Sequence, residues 1–516
     1  MKSRLFVFTA LAAALLLSFG AGCVKKLHAP VVDSVVVAPY CSCPDSARLT
    51  VCAHDPDGDS IRLRVEWGDN SDTVTDLYSS PCSAELNHRY TRTRGSAVIV
   101  EALDMNNVSI PETTTVPVEP FGIVQWFWRS SDPENGGGGF TTSPVIAFDG
   151  ANERLFSGCE GDYHFYSILT STGKSEKKTT THWLEYVFTG HPGLCAATNH
   201  IIVGSDEGEL YALKVDGLGC DWRWPAKPSE ESLTGIEWGA PAFRGNRIYI
   251  GHLHDSLFLF QDVGLQANRI AAYGCHASVV DAPVVDASGN VIFGTDSGYL
   301  IKIDANLISP IWRSHLVRNG DVHSPIIGND GTIYCASDSF RLYAIDPAMG
   351  VPKWVTAFYG QAARLAIGRS AIFVGTAFGM VYSVRPQDGR LNWLKQLGCC
   401  AFTTAPVIAA NGCVYFQNDD DVLYCLNQAD GTVNWACNCS LYLPRTNCGN
   451  SHRPRRLQLT NYRPNPSICA NGNIIVVGRD ACYCVGGYPE GPLDPLAPWP
   501  KWQHDLCNTG RAGGGR

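Results

Sequence analysis

Three aspartates alternate in His54-Asp-Pro-Asp-Gly-Asp59, and with Glu66 they fall at positions 1, 3, 5 and 12 of a calcium-loop spacing. Carboxylate oxygens so spaced would suit a hard divalent cation. Two features oppose it: position 6 is Ser60 where the sharp turn calls for glycine, and Ile61 to Trp67 alternates like a strand where a helix should begin. Asp55, Asp57 and Asp59 are therefore expected to form a solvated Asx-rich turn, with a calcium site on these three aspartates alone as the alternative.

The other reactive types are scattered. Of 21 cysteines, Cys41/Cys43, Cys437/Cys439 and Cys482/Cys484 are spaced two apart, and Cys399-Cys400 are adjacent. Residues two apart on a strand share a face, so each pair could hold a metal. Disulfides to neighbouring strands suit an exported chain better. His252 and His254 read as surface histidines beside a hairpin, and Asp419-Asp420-Asp421 as a solvated turn. One stretch, between Trp435 and Pro464, gathers Arg445, His452, Arg453, Arg455, Arg456 and Arg463 with three cysteines. Clustered guanidinium groups grip carboxylates or phosphates bidentately. It is a candidate partner-binding loop, and a disulfide-pinned surface loop is the alternative. Without a Gly-x-Ser-x-Gly elbow, a His-Glu-x-x-His helix or a phosphate loop, no catalytic residue is assigned.

These residues must be positioned by strands. Among 516 residues, 51 glycines and 30 prolines point to many turns and an all-β protein. A net charge of −9 argues against a nucleic-acid surface. From about residue 120 one unit recurs. A small residue and proline open it at Ser143-Pro144, Ala240-Pro241, Ala282-Pro283, Ser324-Pro325, Ala405-Pro406 and Asn465-Pro466. Two further copies, near Leu194 and Leu365, read as lacking the proline. A hairpin and a Leu-Tyr-Ala-Leu-type strand follow, as in Gly204–Leu213, Gly294–Ile303, Ala336–Ile345, Gly375–Val384 and Gln417–Leu426. Tryptophans close the units at Trp222, Trp312, Trp354, Trp393 and Trp435, and Gly350, Gly389 and Gly431 stand four residues before theirs. Eight copies of four short strands bury both faces of each sheet only by stacking radially. Val124-Gln-Trp-Phe-Trp-Arg129 looks like an outer strand without its three predecessors, and the copy at Pro466 lacks its tryptophan strand. Pairing the two would clasp the ends together.

These units resemble the repeat of pyrroloquinoline-quinone (PQQ) enzymes, and the WD and kelch signatures do not recur. The resemblance implies an eight-bladed β-propeller over 120–512, with the closing tryptophans docked between blades and the C-terminal Trp499–Arg511 packed on the ring. It also raises a PQQ and calcium-dependent oxidoreductase, for which Cys399-Cys400 is an echo. No residue set matches that family's calcium ligands, so no cofactor is expected. Ahead of the repeats, Asp-Pro-Asp-Gly, Trp67-Gly-Asp-Asn and His88-Arg-Tyr90 resemble a PKD-type immunoglobulin-like sandwich over 31–119, with Trp67 in its core. Lys2, Arg4, the apolar run Leu5 to Phe19 and Gly20-Ala-Gly-Cys23 resemble a bacterial lipoprotein signal over 1–22, with Cys23 acylated ahead of a linker over 23–30. Gly20 departs from the leucine usual there. Ordinary cleavage, leaving Cys23 free, is the alternative.

The architecture resembles the propeller lipoprotein of the outer-membrane barrel-assembly machinery, and departs from it in the N-terminal domain and cysteine count. The expected function is a non-catalytic envelope lipoprotein, held by lipid at the outer membrane. Its propeller would bind or scaffold proteins or glycans. The alternatives are the quinone oxidoreductase and a surface adhesin.

Overall fold

The computed structural model describes residues 28–39, 46–67, 72–89, 96–104, 107–116, 122–129, 140–159, 164–179, 190–205, 208–225, 238–252, 255–279, 281–318, 320–398, 400–442, 464–478, 481–488, 491–501, 503–505 and 508–510. Their contacts divide the chain into a first unit (1–38, 48–88 and 96–116) and a second that holds the rest.

In the first unit a three-stranded sheet (Val31–Pro39, Ser46–His54, Cys82–Arg89) accompanies a four-stranded one (Asp72–Val74, Arg62–Glu66, Ser96–Leu103, Glu112–Val116). Alternate residues turn inward on both: Leu49, Val51 and Ala53 from the first, Leu63, Val65, Val98 and Val100 from the second. Trp67 is buried with them, stacks on His88 at 4.5 Å, and donates its Nε1–H to Thr73 Oγ1 at 2.8 Å.

The second unit is built from eight four-stranded antiparallel sheets. In chain order, sheets 1 to 7 span 145–178, 193–224, 238–274, 284–315, 322–357, 362–396 and 407–438. Sheet 8 takes three strands from 467–485, and its fourth is Val124–Trp128 from the start of the unit. The register is Cys482 opposite Trp128, Tyr483 opposite Phe127 and Cys484 opposite Trp126. This is the clasp that the orphan tryptophan strand announced. Among the described residues the one helical segment is a single 3₁₀ turn, Cys439–Tyr442.

Both faces of the middle strands are buried, so they read as continuous apolar runs, and neighbours in sequence serve different interfaces. Ile201 and Val203 pack with Phe156 and Phe165 of sheet 1, whereas Ile202 packs with Ile248 and Phe260 of sheet 3. Tyr249 and Leu259 meet Phe293 and Ile301 of sheet 4. One cluster joins sheets 4, 5 and 6 through Ile292, Tyr334, Tyr343 and Val374. Phe373 and Trp393 meet Val414 and Phe416 of sheet 7, and Tyr415 and Cys425 meet Ile474 and Tyr483 of sheet 8. The order then returns to its start, because Ile475 and Cys484 pack on Leu155 and Ile168 of sheet 1.

The tryptophans and glycines mesh one sheet apart. A Cβ on Gly350 would lie 2.6 Å from the ring of Trp312, one on Gly389 2.6 Å from Trp354, and one on Gly431 2.7 Å from Trp393. Each glycine therefore seats the preceding sheet's indole, not the tryptophan four residues after it. Each indole N–H also reaches the next sheet, Trp312 to Pro347 O (3.1 Å), Trp354 to Pro386 O (2.9 Å) and Trp393 to Gln428 O (2.9 Å). The same mesh spans the clasp: Trp126 donates to Thr170 O at 2.8 Å, and Gly173 leaves room for its ring. Trp222 reaches Asp262 of sheet 3 at 3.0 Å, and Trp435 is buried against sheet 8.

Gly431→Ala is expected to destabilise the chain by about 2 kcal/mol, since it combines a positive φ with a clash against a large ring. Gly412→Ala, also at positive φ but with nothing within 4 Å, should cost about half of that. Denaturant midpoints of the two variants measure the difference.

Candidate functional site

The first strands of sheets 2 to 7 meet their neighbours in turn, and hydrogen bonds between opening residues carry the contacts through the remaining sheets. Ala405 N–H donates to Asn465 Oδ1 (2.7 Å), Asn465 N–H and Nδ2 donate to Ser143 Oγ (2.8 and 3.0 Å), and Ser143 N–H donates to His191 Nδ1 (2.9 Å). This links sheets 7, 8, 1 and 2. His191-Pro192 thus stands where Ser143-Pro144 stands, so the second copy does carry its proline. The copy expected near Leu194 without a proline therefore opens three residues earlier, with a histidine in place of the small residue.

Ala240, Ala282 and Ala405 from sheets 3, 4 and 7 form one buried cluster. Arg364 of sheet 6 reaches past sheet 5 to Asp281, ahead of sheet 4, with Nε to Oδ2 at 3.3 Å and both side chains under 5% exposed. Asp281 Oδ1 also takes the Ala282 N–H at 2.9 Å. Methyl groups and a buried ion pair therefore lie where the first strands converge. Both oxygens of the Asp281 carboxylate thus have partners, Arg364 on one and the Ala282 N–H on the other.

A Nδ1 that accepts an N–H must be unprotonated. Burial first, and then the Arg364 guanidinium, push the His191 imidazole down to about 3. The unfolded chain takes up this proton near the ordinary value of about 6.5, so stability falls as the pH drops from there toward 3. His191→Asn, which keeps an acceptor but cannot titrate, is expected to flatten that slope by about 1.4 kcal/mol per pH unit. Urea unfolding between pH 6 and 4 reads the change.

The C-terminal segment lies along the inner edges of the same strands. Trp499 pairs with Ile367 (O to Ile367 N–H 2.7 Å, N–H to Ile367 O 3.1 Å), Pro500 O accepts from Ile408 N–H (2.8 Å), and Thr509 and Gly510 carbonyls accept from Phe243 and Val285 (2.9 Å each). Gln503 Nε2 donates to Pro241 O at 2.7 Å, and Asn508 Nδ2 reaches Pro144 O and Pro192 O at 3.3 and 3.1 Å. One strap thereby ties six sheets and pairs edges that would otherwise be open.

Among the described residues the remaining candidates do not gather into a reactive centre. Asp55 Oδ1 accepts the backbone N–H groups of Asp57 (2.8 Å) and Asp59 (3.1 Å), Asp57 accepts the His28 N–H (2.6 Å), and Asp59 faces solvent. That is an Asx turn. Among the described residues no three His, Cys, Asp or Glu side chains are arranged to hold a metal ion. Cys400 Sγ contacts Asp420 Oδ2 at 2.6 Å, while Cys399 and His254 lie outside the described residues. His252 is buried beside Trp238, not on the surface. Asp421 is also buried, and only Asp419 and Asp420 keep the solvated-turn role. Cys437, Cys439, Cys482 and Cys484 are buried thiols, and burial raises those of Cys439, Cys482 and Cys484 far above the ordinary range. They serve as small core residues. Cys23, the pair Cys41/Cys43, and Arg445, Arg453, Arg455, Arg456 and Arg463 lie outside the described residues.

Residues 267–399 and 360–440, in sheets 3 to 7, match the family model described as outer membrane protein assembly factor BamB. This stretch carries BamB-like repeats. A Yersinia pestis protein named outer membrane protein assembly factor BamB is 24% identical over 162 residues. The match spans 28% of this chain and 41% of that protein, so the chain covers less than half of its relative's length. The crystal structure of BamB from Moraxella catarrhalis superposes over 70% of this chain and 99% of its own, with TM-score 0.51 and 14% identity. The computationally designed Ika8 protein (67% and 97%, TM-score 0.52, 12% identity) and Saccharomyces cerevisiae Sqt1 (70% and 98%, TM-score 0.53, 9% identity) are similar in the same way. At such identities the likeness is one of fold: all-β and of the BamB-like propeller type.

Proposed function

We propose that this chain is a non-catalytic cell-envelope lipoprotein whose closed eight-bladed propeller is a rigid surface for binding or scaffolding other envelope proteins. The supporting observation is what lies where the first strands converge: buried alanines, the Arg364–Asp281 pair and the hydrogen-bonded strap, in the place where a propeller enzyme would hold its reactants. What is left to offer is surface. The BamB-like repeats favour a protein partner over a glycan, and support a position at the periplasmic side of a bacterial outer membrane. In this reading Cys23 carries the lipid anchor, the first unit is an immunoglobulin-like spacer, and the arginine-rich connection between sheets 7 and 8 adds a basic contact loop.

The test is photo-crosslinking in native envelopes from residues on the hairpins of sheets 3 to 7. A discrete adduct with one envelope protein is the expected result. Stoichiometric binding of PQQ with Ca²⁺ by the purified chain would overturn the reading.

A further inference from the structure

In the hairpin between second and third strands, equivalent turns are closed by the N–H of Gly208, Gly298, Phe340, Gly379 and Asp421, each donating to the carbonyl three residues earlier. All five have positive φ: 81°, 83°, 60°, 74° and 59°. Glycine occupies that conformation freely, whereas a bulky side chain there is unfavourable. Asp421 is buried, so packing accounts for it. Phe340 is 44% exposed and gains little from the interior.

Phe340 has aromatic company. Its carbonyl accepts the Phe358 N–H at 2.8 Å, which sets Tyr359 beside it, and Tyr359 is 70% exposed although its N–H is fixed to Tyr382 Oη at 3.1 Å. Phe378, on the next hairpin and 50% exposed, lies 5.2 Å from the Tyr359 ring. Gly360 makes room for it, since a Cβ there would stand 2.7 Å from the Phe378 ring. Three large rings are thus exposed on two adjacent sheets, two of them on backbone fixed by hydrogen bonds. Exposed aromatics on a rigid frame are the usual anchors of protein interfaces.

The surroundings are acidic. On the hairpins and connections of this face from sheet 3 to sheet 7, the described residues include Asp255, Asp296, Asp321, Asp338, Asp419 and Asp420, against Arg318 and Arg341 once the Asp281–Arg364 pair is set aside. We propose that Phe340, Tyr359 and Phe378 form a docking surface for an extended protein segment that carries aliphatic or aromatic anchors flanked by lysine or arginine. This rests on the reading of the chain as a protein-binding scaffold and names the surface and the partner's chemistry.

A displayed library of short random peptides, selected on the full chain, tests it with Phe340→Gly and Tyr359→Ser as comparators. The expected peptides combine apolar and basic residues and bind the native chain at least about tenfold more tightly than either variant. Phe340→Gly should at the same time raise the melting temperature, because the turn regains its preferred residue. Peptides that bind native chain and variants alike would overturn this surface while leaving a binding propeller in place. Enrichment of acidic peptides, or a melting temperature lowered by Phe340→Gly, would overturn it as well. Failure to enrich any peptide would count against both readings.

Discussion

Replacing Arg364 with methionine is expected to destabilise the second unit by about 3–5 kcal/mol, because it leaves the Asp281 carboxylate buried without its counter-charge. The pair is enclosed on all sides, so solvent cannot take over the role of the guanidinium. Asp281→Asn alone should be milder. It still accepts the Ala282 N–H, yet it strands a buried cation. Combining Arg364→Met with Asp281→Asn removes both charges and should recover most of the loss, giving a strongly non-additive double-mutant cycle. Equilibrium unfolding of the three variants reads this directly. Additive losses would mean that the two side chains do not share a buried site.

The second large effect concerns the strap. Trp499 is 1% exposed, lies in the core shared by sheets 4, 5 and 6, and meets His504 edge-on at 5.0 Å. Trp499→Ala should cost about 3–5 kcal/mol, as for other large buried aromatics. Ending the chain after residue 490 should cost more, because inner-strand N–H groups on four sheets would lose their acceptors together. Differential scanning calorimetry of the shortened chain should show a lower, broader transition. An unchanged melting temperature would show the strap to be decoration.

Much of this architecture was legible because each repeat buries both faces. Continuous apolar runs, a small residue with proline at the inner edge and a glycine in the outer turn are local consequences of that burial, so they recur in the sequence. The orphan strand Val124–Trp128 was legible for the same reason: an outer strand without partners must find a sheet that lacks one. What depends on the neighbouring sheet left no local trace. Gly431 stands four residues before Trp435 yet seats Trp393, and only the packing between sheets reveals it. Arg364 and Asp281 are 83 residues apart and meet because the first strands converge. Phe340 occupies a turn position that three of its sibling repeats give to glycine. That signal was present in the aligned hairpins, but its meaning needed φ and exposure. The cysteine spacing carried less: two residues apart on a strand means a shared face, and in Cys482–Val485 every side chain is buried whichever face it takes.

Val124–Trp128 completes sheet 8, and sheet 8 packs on sheet 1, so that the second unit closes on itself. Hydrogen exchange on the full chain, followed through a denaturant series, is the decisive measurement of this closure. Amides of 124–128 should exchange as slowly as those of the outer strand Leu391–Gln396, and should lose protection together with 482–485 in a single transition. If 124–128 exchange at free-chain rates while 482–485 remain protected, the sheets do not form a closed cycle.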